Sequence, residues 1–255
     1  ADLFCTASCR DTIGAHAIRY RYHQLLSKNI NQIATTHSCD KDLLRMVFRL
    51  LALTLFPTNT DNTAEEALCR DNGTTLVATL RGVNTLEAHL EQQPAAWQSA
   101  VSAGLKAVVD VLFADPDISS AMASTQTTAT PTSTTAERIT QYALFLACIV
   151  NVNAYGIVDY TASSHAMGFG LFPAVGLCVN HACLPNSYFA YNTIEGCMEY
   201  RTLRAVAPGE ELTVSYTDIF VGTPQRRAAL YEKRFFSCQC SRCAGYDSTE
   251  AAAVN

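Results

Sequence analysis

In separate stretches between Asp40 and Phe113, apolar residues recur at intervals of three and four, which is the period of helices packed on one face. From Asp40 to Phe56 the run D-K-D-L-L-R-M-V-F-R-L-L-A-L-T-L-F predicts a helix. Asp40 is placed to cap it, Arg45 and Arg49 share a face, and Pro57 ends it. A short helix is predicted over Leu86 to Glu91, and a longer one from Pro94 to Phe113 with Pro94 in its first turn. In the longer one Trp97, Val101, Leu105, Val108 and Leu112 form a stripe that reads as core. Ser119 to Thr135 carries no charge and no period, and predicts a flexible surface loop. In a secreted chain the same composition would suit a glycosylated stalk. Ala136 to Val152 is apolar nearly all round, so it reads as a buried helix.

Beyond Asn153 the pattern changes to short β-type runs broken by Gly, Pro and Asn: A-Y-G-I-V-D-Y, F-G-L-F, S-Y-F-A-Y-N, C-M-E-Y-R-T-L-R-A-V and E-L-T-V-S-Y. Many short strands between turn signals predict small, irregular sheets. A helix from Pro224 to Lys233, capped by Thr223, follows, and the last dozen residues read as a loose tail. There is no internal repeat. The fold class expected from this order is α+β, with helices first and small sheets after.

Composition narrows the reading in three ways. A chain of 255 residues that is 49% hydrophobic can bury one large core or two small ones. A net charge of -5 argues against charge-driven nucleic-acid binding, which needs a basic face. No apolar run reaches the roughly 18 residues of a membrane span, and the longest, Tyr142 to Val152, contains Asn151. The opening residues do not read as a secretory leader, so a secreted protein is not expected. Eleven cysteines would suit disulfides plus one spare thiol in a secreted protein. Their tight clustering toward the C-terminus fits zinc and a reducing intracellular compartment better: cytoplasm, nucleus or an organelle matrix.

Three stretches carry chemistry. Asn180 to Asn186, N-H-A-C-L-P-N, puts an amide, an imidazole, a thiol and a proline turn within seven positions. Arg204 to Asp218, R-A-V-A-P-G-E-E-L-T-V-S-Y-T-D, is a Pro-Gly turn leading into a segment that ends near Tyr216. Glu210 and Glu211, after that turn, read as solvated and not as an acid–base pair. Cys238, Cys240 and Cys243 supply three thiolates, and structural zinc takes four ligands, with no fourth Cys or His close by in sequence. At the other end, Cys5 and Cys9 lie four apart, with His16 and His23 following on a helical stretch. They make a second candidate zinc set of Cys5, Cys9 and His23, whose alternative is a cysteine-bearing helix cap.

The order N-H-x-C-x-P-N, then G-E-E-L-T-x-x-Y, then C-x-C-x2-C resembles the signature of SET-domain protein-lysine methyltransferases. The rest of the chain is similar to the branch that also carries a MYND zinc finger, the SMYD-like proteins. The resemblance implies a SET-type fold: short irregular β-sheets, a threaded C-terminal motif, a large helical insertion and a post-SET zinc site. It implies a MYND-like segment over 1–27, the helical insertion over 28–135, the SET core over 136–222, the post-SET helix and zinc cluster over 223–246, and a tail over 247–255. The fourth zinc ligand it implies is Cys183. S-adenosylmethionine is the implied cofactor, with the backbone at Asn180 and His181 receiving the adenine, Phe236 covering it and Asn153 meeting the amino-acid end. Tyr216 matches the catalytic tyrosine, and Tyr155 would line the lysine channel opposite. The implied partner is a protein substrate offering a lysine, histone or otherwise.

Departures accompany the likeness. The glycine-rich opening of the SET domain has no counterpart, so the chain is expected to be N-terminally incomplete. Arg234 stands where a channel tyrosine is usual, Ala182 replaces a serine, and Ser27 stands where the finger's last cysteine would be. Two readings follow: part of a longer lysine methyltransferase, or a catalytically inactive SET-family scaffold or assembly partner in a larger particle. A third, a MYND-like zinc adaptor for proline-rich peptides, rests on the first 26 residues alone.

Overall fold

The computed structural model describes residues 17–55, 83, 86–124, 135–159, 165–171, 179–192 and 197–245. Cys5, Cys9, His16, Pro57 and the tail after Gly245 lie outside them. The chain divides into two compact units, Ala1–Asn151 and Val152–Asn255.

The first unit is helical. Helix α1 spans Ala17–His37, α2 Lys41–Leu55, α3 Ala95–Phe113, α4 Pro116–Ser124 and α5 Thr135–Asn153, whose last two residues enter the second unit. Asp40 caps α2, its Oδ1 accepting the backbone N–H groups of Asp42 at 2.7 Å and Leu43 at 3.3 Å. The core of α1 to α4 is built on Tyr22, Ile30, Leu44, Phe48, Leu51, Leu105, Leu112 and Ile118, all buried. The Tyr22 hydroxyl donates to the Phe48 carbonyl at 2.8 Å, so a phenol can be buried there without an orphaned proton. On α3 the predicted stripe is buried at Val101, Leu105, Val108 and Leu112, and Trp97 is half-buried. Gly104 belongs to the same face, and a Cβ there would meet Cys39 Sγ at 2.6 Å. The absent side chain lets the α1–α2 corner come close to α3. Helix α5 is buried on every side over Leu146, Ala147, Cys148, Ile149 and Val150, as its apolar composition predicts.

Two expectations for this unit are corrected. Leu86 to Glu91 is not an α-helix: only Leu90–Gln92 forms a 3-10 turn, after His89 in the left-handed region at φ 48°. Six residues cannot offset the cost of a helical nucleus. The loop expected from Ser119 begins later, because α4 runs to Ser124 and residues 125–134 lie outside the described part. Its cap lies upstream of the low-complexity stretch: Asp115 Oδ1 accepts from Asp117 N at 3.1 Å and Ile118 N at 3.2 Å, Pro116 fits the first helical position, and Ile118 is buried.

Among the described residues, the second unit holds six short strands in three two-stranded sheets. Strands β1 (Tyr155–Asp159) and β2 (His165–Gly170) pair antiparallel with a register shift between Ile157 and Val158. Strands β4 (Ser187–Asn192) and β5 (Cys197–Thr202) pair antiparallel from Ser187 opposite Thr202 to Asn192 opposite Cys197. Strands β3 (Asn180–His181) and β6 (Thr213–Val214) are two residues each and pair in parallel. Helix α6 (Thr223–Arg234) follows, and residues 241–245 form one further helical turn. Its N-cap is Gly222, not the expected Thr223. The Thr223 hydroxyl is buried and accepts from Arg226 at 2.7 Å, so it is not available to cap.

Candidate metal centre and the residues around it

Parallel pairing of β3 with β6 brings the Asn180 loop beside the Arg204–Asp218 run, and Asn186 joins them. Its amide donates to the Glu211 carbonyl at 2.8 Å and to Glu210 Oε1 at 3.1 Å, and its Oδ1 accepts from Thr213 N at 2.9 Å. Ala182 N donates to Val214 O at 3.0 Å, and Ser187 Oγ to Thr213 O at 2.7 Å. Two strands of two residues could not hold this register by ladder bonds alone; the side chains make up the difference. Glu210 is more than the solvated residue expected from its turn. It accepts from Ala207 N at 3.1 Å and pairs with Arg204 as well as Asn186. These partners, Arg204 foremost, hold its carboxyl down at about 2. Gly209, at φ 83°, makes the turn possible.

The loop so held delivers Cys183 to the tail. After α6, Phe235 takes the left-handed conformation at φ 59° and donates to Tyr231 O, reversing the chain. That places Phe236 and the three tail cysteines against Cys183, with Leu230 of α6 packed beneath. The four thiols are free, and every sulfur lies within 4.8 Å of the other three. Cys183 Sγ is 3.8 Å from Cys238 Sγ and 3.7 Å from Cys243 Sγ. These are not disulfide distances. A tetrahedron with Zn–S bonds of about 2.3 Å has edges of about 3.8 Å, so the donor set fits a divalent metal such as zinc. Cys183, Cys238 and Cys243 are buried and Cys240 is half-buried, as in a closed structural site. Burial pushes the Cys183 thiol up and the Cys238 thiol to about 12. Cys240 is held near 6, where backbone N–H groups of Cys183 and Cys243 outweigh the effect of burial.

Against the cluster sit His181, Tyr216 and Phe236. The His181 ring lies 5.5 Å from Tyr216 and 6.0 Å from Phe236. Its Nδ1 accepts the Tyr216 backbone N–H at 3.0 Å, so the neutral ring carries its proton on Nε2, which faces Cys183 Sγ at 3.2 Å. Burial first, and the charge of Arg226 second, hold this imidazole down at about 4, hence neutral near pH 7. The Tyr216 hydroxyl donates to Val179 O at 2.6 Å, and burial raises it to about 12, so it remains protonated. Arg234 lies over the Tyr216 ring at 5.2 Å and donates to Ala154 O at 3.3 Å. Tyr155 is buried in an edge-on contact with Phe189, ring centres 4.8 Å apart, with Tyr200 at 6.5 Å.

The SET domain family model matches residues 17–217. The chain belongs to the SET domain family. It is similar to histone-lysine N-methyltransferase Smyd1 of Mus musculus, 33% identical over 114 residues, which are 40% of this chain and 23% of that protein. N-lysine methyltransferase SMYD2 of Homo sapiens is 36% identical over 103 residues, 40% of this chain and 22% of that protein. The matched part is therefore less than a quarter of these relatives' length.

The residues singled out in sequence divide into groups, those up to Tyr216 inside the matched span and Phe236 and the three tail cysteines beyond it. Cys183, Cys238, Cys240 and Cys243 converge, and His181, Tyr216 and Phe236 lie on them. Asn180 is exposed, and its side-chain amide donates to Glu211 Oε1 at 2.8 Å. Asn153 is half-buried at the end of α5, one residue before the carbonyl that Arg234 binds. Of the second candidate set, Cys5 and Cys9 lie outside the described residues, while His23 is on α1. No helix among the described residues is long and apolar enough to cross a membrane. Sequence reasoning missed Asn186, Glu211 and Arg242. Arg242 donates to Cys183 O at 3.0 Å and Ile219 O at 2.8 Å, tying the tail to the loop a second time. The only local signal was the closing Asn of N-H-A-C-L-P-N.

Proposed function

We propose that the protein is an S-adenosylmethionine-dependent protein-lysine N-methyltransferase whose cofactor and lysine sites are backed by one structural zinc. The observation that carries the reading is the four-sulfur cluster with His181, Tyr216 and Phe236 around it, in a chain of this family and similar to lysine methyltransferases. Zinc would be held by Cys183, Cys238, Cys240 and Cys243, and would supply a fixed joint between two segments that share few other bonds. The protein substrate would offer a lysine from a histone or another protein.

S-adenosylmethionine supplies, when bound, a methyl made electrophilic by the sulfonium. The chain's own part is binding, orientation and charge. The backbone at Asn180 and His181 would receive the adenine, Phe236 would cover it, and Asn153 would meet the amino-acid end. Glu211 occupies the Asn180 amide and so fixes the loop for that role. Tyr216, protonated and half-buried, cannot serve as a base at neutral pH; its hydroxyl would orient the amine and add a fixed dipole. A lysine channel lined by Tyr155 and Tyr216 would disfavour an ammonium and so deliver lysine as the neutral nucleophile. Alignment of that amine with the methyl removes much of the entropic barrier.

Arg234 favours a second reading, a SET scaffold without activity. Its guanidinium occupies the face of Tyr216, and a positive charge there opposes an approaching lysine. Titration of the zinc-loaded chain with S-adenosylmethionine, followed by methyl transfer to lysine-rich protein substrates, decides between them. Binding and transfer are expected; a flat titration on folded, zinc-loaded protein would leave the scaffold reading standing.

A further inference from the structure

Arg226 is among the largest fully buried side chains of the protein, 1% exposed, and among the described residues no carboxylate pairs with it. One arm of its fork donates to Val221 O at 2.5 Å, the other to Thr223 Oγ1 at 2.7 Å. The second arm also faces Cys243 Sγ at 4.0 Å, and Nε is buried with no partner. All the oxygen partners are neutral. A guanidinium taken out of water without an anion costs several kcal/mol, so a compensating negative charge should lie beside it.

The cysteine cluster is where that charge can come from. Four protonated thiols carry none. Four thiolates around one divalent ion carry a net charge of about -2, since four negative charges meet two positive ones. Arg226 stands in the first turn of α6, and Leu230, one turn on, is the residue of that helix packed against Cys183, Cys238 and Cys243. One helix face therefore presents a cation and then an apolar floor to the same cluster.

We infer that Arg226 is the built-in counter-ion of the metal–thiolate centre, a positioning residue that raises metal affinity by neutralising part of the thiolate charge. The inference rests on the zinc reading above. The dependence runs both ways: the metal centre makes the buried arginine affordable, and the arginine offsets the negative charge that four sulfur ligands would gather around a divalent metal. Arginine suits the place because its planar fork reaches Val221, Thr223 and the sulfur edge together, which a lysine ammonium cannot.

The test uses the full chain, first unaltered and then as Arg226→Gln and Arg226→Lys, with zinc affinity read by competition against a chromophoric chelator. Arg226→Gln should lose about 10–100-fold in affinity, the range for groups that support metal ligands from behind. Arg226→Lys, keeping the charge, should recover a good part of it. In the cobalt-substituted protein the thiolate-to-metal charge-transfer band should shift in Arg226→Gln relative to the unaltered chain, a change that mere packing would not cause. Equal affinity and an unchanged band in Arg226→Gln would overturn the inference. So would Arg226→Gln binding zinc as well as or better than Arg226→Lys, or both variants remaining unfolded at saturating zinc, which would make the role one of packing. Failure of the unaltered chain to take up one zinc is a separate result, and it removes the metal reading itself.

Discussion

Replacing Asn186 by alanine should uncouple the Asn180 loop from the Arg204–Asp218 run while leaving the helical unit intact. The side chain is buried and makes two bonds to backbone, to Glu211 O at 2.8 Å and from Thr213 N at 2.9 Å. Each such bond is worth about 1 kcal/mol net, and stranding a partly buried group adds to that, so the expected loss is about 2–3 kcal/mol. The contact with Glu210 is left out of the sum because that carboxylate is reachable by water and screened. Urea unfolding of zinc-loaded protein measures the loss, and hydrogen exchange at Ala182, whose amide bonds Val214 O across β3–β6, locates it. Asn186→Asp sharpens the test: it keeps an acceptor for Thr213 but turns a carboxylate toward Glu210, so it should restore little. A loss below about 0.5 kcal/mol for Asn186→Ala, with Ala182 exchange unchanged, would show that the two segments are held by something other than Asn186.

Tyr216→Phe should abolish methyl transfer while keeping zinc content. It should cost about 0.5–1.5 kcal/mol in stability, because Val179 O loses its donor; undiminished turnover would remove Tyr216 from the mechanism. Stripping metal with a strong chelator should expose residues 236–245 to proteolysis and loosen the Asn180 loop, read by limited digestion; an unchanged digestion pattern would mean that the cysteines are inert thiols. The Glu210 carboxyl is lower in the folded protein than its ordinary 4.5, at about 2, so the unfolded chain binds the extra proton between those values. The stability it contributes is therefore fully present above about pH 4.5 and lost as pH falls toward 2. Glu210→Gln should flatten the unfolding midpoint over that window, and an unchanged slope would refute the assignment.

Much was legible in the residues alone, for a physical reason in each case. Helices α2 and α3 follow from apolar period, α2 also from an aspartate cap, and α5 from a run apolar nearly all round, because burying apolar side chains and satisfying the first N–H groups are local requirements. Cys238, Cys240 and Cys243 stand out because three thiolates at metal spacing are an unusual combination in a sequence, whereas Cys183 as their fourth member and Tyr216 were reached only through the resemblance to SET-domain proteins. What sequence could not supply was anything set by pairing across distance. The two-residue strands β3 and β6 have no period to detect, and their register is held by Asn186, 27 positions from its partner Thr213. Arg226 lies in the helix expected from Pro224 to Lys233, and its sequence neighbours do not mark it as buried. Only the fold buries it beside sulfur, because whether a charge is desolvated depends on what packs over it and not on its neighbours in the chain.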